Sequence, residues 1–204
     1  MRPQLAAVLL FVLGHANAAA VNEVLSDRDI SYAFSIANGS EATRTAFHAP
    51  YLLAVSEPTI EHLEVITEFR RFVLAAEEQL KLGNWMMARG GFDPKGRTLK
   101  DVLRPVSGQV SIRARLKFHP QNSYKNLPPF DLLVGEPTLL AINASRTPHI
   151  TTVQVDGGTI EVIQGATIET FYNAPTINDR VLPVRMIFEG QEIARVSVDF
   201  SRVQ

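Results

Sequence analysis

Val110-Ser111-Ile112-Arg113-Ala114-Arg115-Leu116-Lys117-Phe118 alternates apolar and polar side chains without a break. A period of two sets Val110, Ile112, Ala114, Leu116 and Phe118 on one side and Ser111, Arg113, Arg115 and Lys117 on the other, so the stretch predicts a strand buried on one face. The same short rhythm continues downstream, with strand-like runs at 130–134, 138–142, 150–155, 159–163, 167–172, 182–188 and 192–200. Asp156-Gly157 and Glu189-Gly190 separate successive runs and read as hairpin turns. Seven or eight short strands within about 95 residues predict an antiparallel β-sandwich of immunoglobulin-like architecture, here without its cysteines or core tryptophan.

Upstream of Val110 the punctuation is helical. Ser26 with Asp29 three residues on forms an N-terminal cap, and Asn38-Gly39 a stop; Ser40 opens a second short helix that Pro50 closes. Residues 58–82, ended by Gly83, predict the longest helix. At 100° per residue Val65, Ile66, Phe69, Phe72, Val73, Ala76 and Leu80 share a third of its circumference, while Glu64, Glu68, Arg71 and Glu78 lie opposite. Residues 84–108 are rich in glycine and proline, with one short helix expected at 99–103. The fold class is therefore α+β: a helical N-terminal half with one long amphipathic helix, then the sandwich. The expected boundaries are 1–18 for a signal peptide, 19–104 for the mainly helical region and 105–204 for the β-sandwich.

The signal peptide is read from Arg2, an apolar run over 5–13, and the small-residue site Ala16-Asn17-Ala18, with cleavage after Ala18. A run of that length falls short of the roughly 18 apolar residues that span a bilayer. The chain has 204 residues, 46% of them hydrophobic, and no cysteine. This composition predicts a packed core and excludes disulfides, thiolate nucleophiles and zinc–thiolate sites. Twenty basic against twenty-one acidic residues give a net charge of -1, which supplies no overall field for nucleic acid. Export of a cysteine-free chain points to a secreted or periplasmic bacterial protein. The sequons at Asn38 and Asn143 carry no weight in that setting.

No motif dictates a chemistry. Gly91 to Thr98 approximates a phosphate-binding loop with Arg97 in place of lysine, but no strand leads into it and Asp93-Pro94-Lys95-Gly96 reads as a turn. No histidine pair has metal-ligand spacing, and no Gly-x-Ser-x-Gly elbow is present, so neither metal nor cofactor is expected. His62 reads as a partly buried helix residue, and Glu64 with Glu68 as a solvated pair near Arg71.

Two clusters are richer. Arg44 and His48, four apart and followed by Tyr51, bring a cation, a titratable ring and a phenol together. His119 and Tyr124 flank a polar loop at the end of the alternating strand, where binding residues gather on a rigid scaffold. The Arg113, Arg115, Lys117 face is expected to lie open to solvent, available to a small anionic ligand, an envelope polymer or a protein. The resulting expectation is an exported, non-enzymatic binding module. The alternative is a small-molecule hydrolase with a site between the halves, at His48 and His119.

Overall fold

A computed structural model describes residues 25–202 apart from 120, 122, 123, 178 and 179. The expected signal peptide lies outside the described residues. The chain is a mixed α+β protein with two antiparallel sheets.

The N-terminal caps form as the sequence predicts. Helix α1 is Asp27–Ala37, where Ser26 accepts from the Asp29 amide and the Asp29 carboxylate accepts from the Ser26 amide at 2.8 Å. Helix α2 is Glu41–His48, capped by the Ser40 hydroxyl, and a 3-10 turn over Ala49–Tyr51 follows.

The long helix does not begin at residue 58. Ile60–Ile66 is a strand, β2, paired with the two-residue strand β1, Leu52–Leu53. Helix α3 is Glu68–Lys81, opened by Thr67, whose hydroxyl accepts from the Arg70 amide. The misreading has a physical source. A bulge between Ile60 and His62 adds one residue to the strand, so Ile60 and Leu63 face the same core although they stand three apart. That spacing mimics a helical stripe, and only the Leu63, Val65 alternation betrays the strand. Two short helices follow, α4 at Trp85–Ala88 and α5 at Leu99–Leu103.

Strand β3 is Gln109–Lys117 and β4 is Phe130–Val134. Residues 138–142 are not a strand. Strand β5 is Asn143–Val155, and β6, Gly158–Asn173, joins two runs that the sequence presents separately. One helical turn, α6 at Ala174–Ile177, precedes β7, Val181–Phe188, and β8, Gln191–Asp199. Both hairpin turns are present; Glu189 and Gly190 adopt φ of 50° and 79°, the left-handed pair that a two-residue loop requires.

The larger sheet runs β1-β2-β3-β6-β5 and the smaller β4-β7-β8. Their facing sides share one core, in which Ile112, Leu116 and Ile168 of the first meet Leu132, Val184 and Met186 of the second. Two strands of the larger sheet thus come from the stretch expected to be mainly helical. A second core gathers Ala33 and Ile36 of α1 with Phe72, Val73 and Ala76 of α3 and Leu99 of α5, and Phe47 packs against both cores.

Strand β3 stops at Lys117, opposite Gly165 of β6, but β5 and β6 stay paired out to Val155 and Gly158. The hairpin therefore leaves the sheet as a two-stranded arm. Gly165 stands at its base because a Cβ there would lie 2.3 Å from the Leu116 carbonyl oxygen.

Candidate functional site

The first sequence cluster assembles beneath α3. Arg70 is 2% exposed; its guanidinium donates to the Glu64 carboxylate, to the Val65 carbonyl and, through Nε, to His48 Nδ1 at 3.3 Å. Because Nδ1 accepts, Nε2 carries the proton and donates to Glu77 Oε1 at 3.0 Å. Arg44 reaches the Gly39 carbonyl and comes within 3.9 Å of the same Glu77 oxygen. The Arg70 guanidinium lies over the Tyr51 ring, 4.9 Å from its centre, and burial pushes the Tyr51 phenol above its usual range. Arg44, His48 and Tyr51 do converge, but as bracing between α2, α3 and β2. Both His48 nitrogens are engaged and the ring is largely covered.

The basic ladder is covered only in part. Register places Glu64 of β2 and Glu169 of β6 on either side of Arg113. Arg113 donates to Glu169 Oε2 at 3.0 and 2.9 Å and lies 3.5 Å from Glu64. Arg71 arrives from α3, donating to Ser111 Oγ and to the carbonyls of Val106 and Gln109. Arg115 pairs with Glu61 in the bulge at 2.9 Å, and Lys117 is exposed at the strand end. The expectation that solvent covers this face is overturned for Arg113, because acidic groups of both flanking strands neutralise it.

Glu64 is correspondingly not a helix-surface carboxylate. Burial pushes its pKa up, but the His62 ring beside it and the charges of Arg70 and Arg113 outweigh that and hold it at about 2. Glu68, its expected helical companion, instead accepts from Ser107 Oγ and the Gly108 amide, both at 2.7 Å. His62 lies on β2, 3.7 Å from Glu64.

The second sequence cluster lines a small cavity at the far end of β3. His119 and Tyr124 share a space of about 170 Å³ with Glu57, Thr59 and the rings of Phe118, Phe130 and Phe188. The three phenylalanines stack, with centroids 5.8 and 4.5 Å apart, and Tyr124 meets Phe118 edge-on. His119 Nδ1 accepts from the Gln121 amide at 3.2 Å, which leaves the proton on Nε2. Glu57 is the member that the sequence did not single out; its place beside Pro58 marks a turn but gives no hint of its neighbours.

These two clusters occupy separate places. His48 sits under α3, whereas His119 lies beyond β3 where the two sheets meet, and their partners do not overlap. The Gly91 to Thr98 segment is a turn in which the Asp93 carboxylate accepts from the Lys95 and Arg97 amides, both at 2.8 Å. Among the described residues no group of three or more His, Asp or Glu side chains is placed to hold a metal ion. No described helix is long and apolar enough to cross a membrane.

The third feature is the arm. Its six register pairs run from Ile150↔Ile163 to Val155↔Gly158. At about 3.4 Å per residue that is roughly 20 Å of hairpin. Loop residues 124–127 brace its base, where the Ile163 amide donates to the Tyr124 carbonyl. Ile150 at that base is 59% exposed, and further out Val153 is 37% and Ile160 44% exposed. Comparison with protein-family models, with curated proteins and with solved structures finds no match.

Proposed function

We propose that the protein is an exported, non-enzymatic interaction module, a β-sandwich of immunoglobulin-like architecture, whose projecting hairpin arm engages a protein partner. The observation that carries this reading is the edge strand β5, 13 residues long, whose distal part runs past the sheet with exposed β-branched side chains. An edge strand presents a row of unpaired amides and carbonyls, and an added strand satisfies them while side-chain contacts select the partner. The proximal half of β5 is blunted: Pro148 removes a donor, Arg146 reaches across to Asp131 of β4, and the partner strand β6 bulges at Gln164, opposite the step from His149 to Ile150. Residues 150–155 carry no charge and no proline. The blunting devices thus end where the arm begins.

The hydrolase reading has less behind it. It requires His48 and His119 in one cleft, yet each is held in its own surroundings and His48 has both nitrogens engaged. Export rests on the N-terminal sequence, Arg2, the apolar run and Ala16-Asn17-Ala18. A secreted or periplasmic location follows from it. A photoreactive side chain placed at Val153 in the exported protein of the source cell tests the reading. Crosslinking of a defined protein from the arm supports it; a defined protein captured by a reagent at the exposed helix position Glu78, with none from the arm, overturns it.

A further inference from the structure

We infer that the arm pairs with the arm of a second copy of this chain, edge to edge and antiparallel. The inference rests on the arm being the contact element, and adds the identity of its partner. Residues on one face of a strand share parity, so an antiparallel self-pairing must be centred on a residue. Centred on Thr152, it sets Thr152 against its own copy, Thr151 against Val153 and Ile150 against Gln154.

The chemistry of each pair fits. A strand that meets itself brings every charge near the two-fold axis against the same charge, and like charges directly opposite are destabilising. Residues 150–155 have none. Thr152 facing Thr152 is a favourable cross-strand pair, and Thr151 with Val153 joins two β-branched residues. Within one copy Val153 already lies opposite Ile160 and Thr151 opposite Val162. Pairing therefore extends that apolar strip across a four-stranded sheet, relieving a two-stranded hairpin that is marginal alone. A pairing of so few residues buries well under the roughly 1,200 Å² of a stable interface, so the dimer is weak and concentration-dependent.

The test is sedimentation equilibrium of the chain lacking residues 1–18, from about 1 μM to about 1 mM, a range that spans weak association. Expected is a monomer–dimer equilibrium that the double variant Thr151→Lys/Val153→Lys abolishes, because each lysine then faces a lysine of the other copy. Thermal melting confirms that the variant is folded. Register is read independently. The chain has no cysteine, so under mild oxidation Thr152→Cys should form a disulfide-linked dimer at least tenfold faster than Thr159→Cys on the other strand. A wild type that stays monomeric throughout, a folded lysine variant that still dimerises, or equal crosslinking at both positions overturns the inference. If the chain is monomeric yet the Val153 crosslinker captures a different protein, the interaction-module reading stands and the self-pairing fails.

Discussion

At the scale of single residues, Arg113 is the position where sequence pattern and structure part most instructively. Alternation assigns it correctly to the face opposite the core, and says nothing of Glu64 and Glu169 lying beside it, because cross-strand register joins segments about 50 residues apart on either side. Arg113→Glu would set three carboxylates together, two of them buried, and should lower unfolding free energy by about 3 kcal/mol or more. Arg115→Glu breaks an exposed pair and should cost at most about 1 kcal/mol. Urea titration of both variants checks the contrast. Glu64 carries the pH dependence of the same cluster. Its folded pKa, about 2, lies below its ordinary 4.5, so its stabilisation is complete above pH 4.5 and fades as the pH falls toward 2. Glu64→Gln should flatten that acid limb while lowering stability at neutral pH, read by denaturant titrations between pH 2 and 7.

At the scale of elements, caps and turns were legible because they are local. Ser26, Ser40 and the Glu189-Gly190 turn are each settled by residues within a few positions. The long helix was misjudged because the bulge in β2 gives a strand the apolar spacing of a helix, and because a strand's partner is not written in its own segment. The helical stripe itself is right from Thr67 onward: Phe72 is 3% exposed within the helical core, while Phe69 is only partly buried between Tyr32 and Phe47. Phe72→Ala should cost about 3–5 kcal/mol, and Phe69→Ala clearly less, by thermal or urea unfolding. Equal losses would mean that α3 is rotated from the orientation described. The candidate clusters were legible in membership, Arg44 with His48 and Tyr51, His119 with Tyr124, but not in role. Arg70, Glu77 and Glu57, which decide that role, come from other elements.

At the scale of the whole molecule, two sheets and a helical layer leave the β5–β6 arm, along much of its length, with nothing packed against it among the described residues. The arm was invisible in the sequence, since residues 150–155 and 159–163 read as ordinary strands and nothing within them reports that β3 ends at Lys117. Its exposed aliphatic side chains and uncharged edge are a hazard for a protein that stays alone, and a contact for one that does not. The proposed export makes its own prediction: mass spectrometry of the protein from the cell envelope or medium should find an N-terminus at Ala19, and a retained Met1 would contradict it. The arm is tested most directly by residue-resolved amide hydrogen exchange. It is measured on the purified protein at low concentration, and again at high concentration and with any partner captured from Val153. Arm amides pointing away from β6 should exchange freely in the dilute protein and become protected, by tenfold or more, when the contact forms. Protection that appears elsewhere on the molecule while those amides stay fast would contradict the assignment of the arm as the binding element.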